Sequence, residues 1–185
     1  MAIEVEKKYR LPHERREAVI SALEAAGAIF EGEDVEENVI FGGGRLDEDS
    51  AVLRIRTTDA NNTLTYKRRI DDGSAAKRHV EHELSFDDAH EMFEIVEKLG
   101  FRRRLVYEKR RLTWRMPGAE VVIDALPFGD FMEIEGDDAA IAATEETLGI
   151  KDLEHEPRTY PSLTAEYGTK TGSIIEARFA DLSGS

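Results

Sequence analysis

The chain has 185 residues, and its 39 Asp and Glu outnumber 25 Lys and Arg, for a formal net charge of −14. An apolar share of 41% is too large for a disordered chain, and the length suits a single domain with one sizeable core. The absence of cysteine excludes disulfides, thiolate metal sites and cysteine nucleophiles, while the acidic balance argues against general nucleic-acid binding.

Residues 2–11 set Ile3, Val5 and Tyr9 against Glu4, Glu6 and Lys8, the period of a half-buried strand. Pro12 opens a helix running to about Ala26, with Val19, Ile20 and Leu23 as its apolar stripe and Gly27 as its C-terminal cap. Residues 28–41 read as extended. Gly42-Gly43-Gly44 is a loop and not a phosphate-binding P-loop, because no Gly-Lys-Ser/Thr follows. Strands are expected at 51–57 and 63–69, joined by a turn over 59–62, and again at 79–86 after a turn at 71–74. Asp87-Asp88 caps a helix that runs to Leu99 and stops at Gly100. A long strand over 101–115, a Pro117-Gly118 turn, and strands at 120–125 and 130–135 come next. Short helices at 137–148 and about 159–167 precede a tail. Trp114, Phe101, Phe93, Met92, Ile95 and Val96 read as core or helix packing. The expectation is an α+β chain whose antiparallel strands could close into a barrel with helices outside. The opening Met1-Ala2-Ile3-Glu4 has no basic and apolar leader pattern, and no stretch of 18 uncharged apolar residues occurs. A cytoplasmic protein with no membrane or nucleic-acid partner is expected.

The polar faces of these strands carry charges at spacing two. They are Glu4, Glu6 and Lys8; Arg54 and Arg56; Lys67 with Arg69; Glu81 and Glu83; Lys109 and Arg111; Asp124; and Glu133 and Glu135. Side chains at i and i+2 share one face of a strand. One such pair is ordinary as a solvated face, but several in succession place dense charge of both signs on one surface. If the sheet closes, that surface is its interior. Interior charge is costly unless it binds something. Lys and Arg suit phosphate oxygens, and clustered carboxylates suit Mg²⁺ or Mn²⁺.

The ordered set of Glu4-x-Glu6-x-Lys8, Leu53-Arg54-Ile55-Arg56, Thr65-Tyr66-Lys67, Glu81-x-Glu83, Lys109-x-Arg111, Val122-Ile123-Asp124 and Phe131-Met132-Glu133-Ile134-Glu135 resembles the CYTH, or triphosphate tunnel metalloenzyme, superfamily. The resemblance covers roughly residues 2–165. It implies an eight-stranded antiparallel β-barrel that forms a tunnel, spanning residues 1–170 as one domain, with 171–185 as a C-terminal helix or tail. It implies a triphosphate held by Lys8, Arg54, Arg56, Lys67, Lys109 and Arg111. Glu4, Glu6, Glu133 and Glu135 match positions on the metal side, with Glu6 and Glu135 as direct ligands of Mg²⁺ or Mn²⁺. Asp124 matches a position that places metal or water. Glu6, Lys8, Lys109 and Asp124 are the implied catalytic set, and Glu81 and Glu83 support the basic residues. Thr159-Tyr160-Pro161-Ser162-Leu163 resembles the Ser-Tyr-x-x-Leu segment of class IV adenylyl cyclases, with Thr for Ser and an added Pro161. The implied reaction is ATP to cyclic AMP and pyrophosphate. Hydrolysis of inorganic or thiamine triphosphate is the alternative, and a non-catalytic triphosphate-binding module is the reading from another class. A homodimer is possible, since family members are often dimers. No histidine is required: His13, His90 and His155 are expected at the surface, and His79 shares a face with Glu81.

Overall fold

The computed structural model describes residues 2–70 and 77–180, with the side chains of residues 2–4, 69 and 77–79 excepted. In chain order the elements are β1 (Ala2–Arg10), α1 (His13–Ala25), β2 (Ile29–Gly42), α2 (Arg45–Glu48), β3 (Ala51–Thr57), β4 (Asn62–Ile70) and β5 (Lys77–Phe86). They continue with α3 (Ala89–Lys98), β6 (Arg102–Met116), β7 (Ala119–Leu126), β8 (Gly129–Gly136), α4 (Asp138–Leu148), α5 (Tyr160–Tyr167), β9 (Thr169–Thr171) and β10 (Ile174–Ala177). The turn expected at 71–74 and the final tail at 182–185 lie outside the described residues. Two elements depart from expectation. Residues 45–48 form a short helix after the glycine loop. Part of the region expected as a C-terminal helix or tail is strand: β10 lies parallel to β6, at Leu105 to Tyr107, and hairpins with β9. The backbone groups of Ile174 to Ala177 find ladder partners there that a helix would have had to supply itself.

The strands form one sheet in the order β2-β3-β4-β5-β1-β8-β7-β6-β10-β9, antiparallel except where β10 meets β6. β2 also pairs with β6, from Ile29↔Arg115 to Gly42↔Arg102, so each of β1 to β8 has a partner strand on both sides. Alternation then sorts the side chains. On the outer face of β1, β6, β7 and β8, the buried residues Tyr9, Trp114, Val121, Ile123, Met132 and Ile134 pack with Val19 and Leu23 of α1 and Ile141 and Leu148 of α4. Full burial of each large apolar side chain contributes about 1.5–3 kcal/mol. A second cluster seats Val96 of α3, with Met92 and Phe93, on Val39, Phe41, Ile55 and Val106. Ile95, expected in that packing, is 45% exposed, one residue and so about 100° around the helix from buried Val96. A third cluster joins Tyr160 and Leu163 of α5 to Ile40, Tyr107, Leu126 and Phe131. Asp88 caps α3 by accepting from the Glu91 amide, and Thr159 caps α5 by accepting from that of Ser162. Among the described residues no helix is long and apolar enough to cross a membrane.

Candidate active site

The inward faces of the strands surround a cavity of about 610 Å³. All six basic side chains singled out from the sequence line it: Lys8, Arg54, Arg56, Lys67, Lys109 and Arg111. Glu6, Glu81, Glu83, Glu133 and Glu135 line it as well. Spacing two along each strand and the cross-strand register bring them together. Glu6 stands opposite Glu135, Lys8 opposite Glu133, and Lys67 opposite Glu81. The Glu4 and His79 side chains lie outside the described residues.

The floor of the cavity is a buried ionic network. The Arg111 fork donates to both carboxylate oxygens of Asp124, at 2.7 and 2.6 Å, and to Glu133 at 3.0 Å. Lys8 Nζ lies 3.0 Å from Glu133, donates to the Arg158 carbonyl at 3.3 Å, and sits 3.6 Å from the centroid of the Tyr160 ring. Lys109 Nζ is 3.2 Å from Glu36 and 3.6 Å from Asp124. The Tyr160 hydroxyl donates to Asp124 at 2.7 Å. Asp124, expected to place metal or water, is fully buried and does not line the cavity. Arg111, Lys109 and Tyr160 surround it, and its carboxylate is spent on holding them.

Across the cavity the pairs are looser. Arg56 is 3.4 Å from Glu83, and Arg54 is 3.9 Å from it. Thr65 donates to Glu83 at 2.9 Å and accepts from Arg54 at 3.3 Å, while Thr63 accepts from Arg56 at 3.3 Å. Lys67 bridges Glu81 at 3.1 Å and Glu6 at 3.5 Å.

These surroundings shift the protonation equilibria. Burial alone would push the Glu36 carboxyl up, but Lys109, Arg111 and Arg56, with the Asn38 amide, hold it well below the usual carboxylate range. Burial, and then the neighbouring Arg111, push the Lys109 ammonium down despite Asp124, Glu36 and Glu133. Burial opposes the Arg111 charge, yet Asp124, Glu36 and Glu133 raise its pKa well above the ordinary value. Burial pushes the Tyr107 phenol up to about 12. Burial and the Asp124 charge push the Tyr160 phenol well up too, so it remains a neutral donor to Asp124.

Sequence reasoning missed several of these groups. Glu36 and Asn38 on β2 are buried, and Glu36 faces Lys109, Arg56 and Arg111. Glu36-x-Asn38 has the same spacing of two as the recognised pairs, within a segment read only as extended. Glu120 lines the cavity and extends the Glu6–Glu135 row across β7. Tyr107 and Thr65 also line it, with no charge to mark them. His13 is exposed, His90 is exposed, and His155 is half-buried against Tyr9 rather than at the surface. Among the described residues no group of three or more His, Asp or Glu side chains could hold a metal ion by itself.

Comparison with known proteins adds to this geometry. The family model described as the CYTH domain matches residues 2–160. A protein of Methanocaldococcus jannaschii, named as a candidate adenylate cyclase, is 32% identical over 137 residues, which are 72% of this chain and 76% of that protein. The PH1012 protein of Pyrococcus horikoshii has a TM-score of 0.76 at 26% identity, covering 86% of this chain and 98% of that one. A Hippeastrum protein, titled a candidate adenylyl cyclase with a dominant triphosphatase activity, has a TM-score of 0.64. At 19% identity over 88% of this chain and 95% of its own, it shows likeness of fold alone.

Proposed function

The chain belongs to the CYTH domain family, and we propose that it is a divalent-metal-dependent enzyme that binds ATP in a tunnel formed by β1 to β8 and converts it to cyclic AMP and pyrophosphate. One observation carries this reading: cations from β1, β3, β4 and β6 meet carboxylates from β1, β5, β7 and β8 around one cavity. A simple anion binder needs the cations but gains nothing from carboxylates beside its ligand. The volume is within the range of about 300–1,000 Å³ common for small-molecule sites. The β2–β6 pairing supports the tunnel.

Arg54 and Arg56 offer planar forks that match phosphate oxygens, while Lys8, Lys67 and Lys109 supply point charges. Mg²⁺ or Mn²⁺ fits Glu6 and Glu135, hard oxygen donors opposite each other on adjacent strands, with Glu120 next in the row. Such ions are commonly held by one or two carboxylates plus water and substrate phosphates, so a self-sufficient cluster is not required. The ion would neutralise charge developing on the phosphates. The chain's own residues hold the triphosphate so that the ribose 3′-oxygen lies in line with the α-phosphorus. That O–P bond forms as the bond to pyrophosphate breaks, and a cavity carboxylate accepts the hydroxyl proton. The name of the M. jannaschii relative supports cyclisation. So does the placement of Thr159, Tyr160, Pro161 and Ser162 on the cavity wall. Hydrolysis of a triphosphate by the same clamp is the second reading, because the Hippeastrum protein joins this fold to triphosphatase activity.

The test is a product assay. Purified protein is incubated with ATP, inorganic triphosphate or thiamine triphosphate, with Mg²⁺ or Mn²⁺ and with chelator, and the products are separated by chromatography. Cyclic AMP and pyrophosphate are expected from ATP, lost with chelator and in Glu6→Gln and Glu135→Gln. Orthophosphate as the main product would replace cyclisation by hydrolysis. No turnover of any of the three would leave a binding module.

A further inference from the structure

Tyr160 is the first residue of α5, and its side chain touches both Lys8 and Asp124 of the buried network. Its ring faces the Lys8 ammonium at 3.6 Å, with Lys109 Nζ at 5.4 Å, and its hydroxyl donates to Asp124. Thr159 caps the helix at this point and Pro161 follows at once, so the backbone that carries the ring is tightly constrained. Phe131 packs edge-on at 5.6 Å, and the ring is 6% exposed yet lines the cavity. The preceding residue but one also reaches Lys8, through the Arg158 carbonyl. Arg158 is itself tied to Glu156 at 2.6 Å and to Glu166 of α5 at 2.5 Å.

Lys8 is almost wholly buried, and three groups define where its charge lies: Glu133, the Arg158 carbonyl and the Tyr160 ring. Two of those three belong to one short segment leading into α5. An aromatic face attracts a buried ammonium through the ring quadrupole, without cancelling its charge as a carboxylate would. Of the three groups only Glu133 opposes the charge, so an anion in the cavity competes with that one carboxylate for it.

We propose that Tyr160 is a positioning residue that holds Lys8 at the cavity floor for phosphate binding, so that the docking of α5 and the readiness of the phosphate clamp are one event. The inference rests on the triphosphate-site reading above. Its ring, packed edge-on against Phe131, fixes Lys8.

A double-mutant cycle on the full chain tests it, with inorganic triphosphate as the probe and calorimetric Kd as the readout. Tyr160→Leu is expected to weaken binding about tenfold in the parent protein and by less than twofold in a Lys8→Met background. Tyr160→Phe keeps the ring and is expected to bind within about threefold of the parent, which also answers the concern that the Leu variant fails to fold. Equal losses from Tyr160→Leu in both backgrounds, or no loss in the parent, would overturn the inference and leave Tyr160 a packing residue. A parent protein that binds no inorganic triphosphate would instead overturn the reading on which the inference rests.

Discussion

Around the cavity, Lys109 of β6 and Asp124 of β7 are buried in a close network with Arg111, whereas Arg54 and Arg56 of β3 are partly exposed and meet Glu83 of β5 at longer range. Lys109 is 2% exposed and Asp124 is fully buried, and the Arg111–Asp124 contact is 2.6 Å. The Arg54 and Arg56 side chains are 20% and 22% exposed, and their shared partner Glu83 is 38% exposed at 3.9 and 3.4 Å. The two walls have the same kinds of residue at the same spacing. What differs is water. On the buried wall each charge depends on its protein partners, since removing one leaves the other desolvated. On the open wall an incoming anion can take the place of Glu83 at little cost, because half-exposed pairs contribute only about 0–1 kcal/mol. One wall is framework and the other is exchangeable.

The largest effect should come from breaking the framework. Asp124→Ala strands Arg111, Lys109 and Tyr160 and is expected to lower stability by about 3–5 kcal/mol in urea unfolding. A loss below about 1 kcal/mol would mean that the buried wall is no more structural than the open one.

Next is the open wall. Arg56→Ala should leave unfolding within about 1 kcal/mol of the parent while weakening inorganic triphosphate binding at least about tenfold, since a charge-assisted hydrogen bond contributes about 1.5–3 kcal/mol. The reverse pattern, lost stability with unchanged binding, would erase the distinction.

A smaller effect concerns pH at the seam between the walls, where Glu36 meets Arg56 on one side and Lys109 and Arg111 on the other. Its carboxyl pKa is lower in the folded chain than in the unfolded one. Its contribution is therefore complete above the unfolded carboxylate value of about 4.3 and is lost as pH falls through the folded value. Glu36→Gln should be less stable than the parent at pH 7, and the gap should narrow as the pH is lowered below about 4. A gap constant with pH would show that the carboxylate charge contributes nothing to stability.

Much of this was legible in the chain itself. Alternation of period two predicted the strands, because one face must be buried and the other not. It also gathered Lys8, Arg54, Arg56, Lys67, Lys109 and Arg111 onto faces that meet, because side-chain direction in a strand is a local property. The sequence did not reveal which of two like residues would be buried. Glu36 lies in a segment that reads only as extended, and Asp124, matched to a position that places metal or water, is buried, accepting hydrogen bonds from Arg111 and Tyr160 beside Lys109. Tyr160 has no charge to announce it. Burial and partnership depend on cross-strand register, on the β2–β6 pairing and on α5 packing against Ile40, Tyr107 and Phe131. Local pattern thus determined which residues face inward, and long-range pairing decided which of those became framework and which remained open to a ligand.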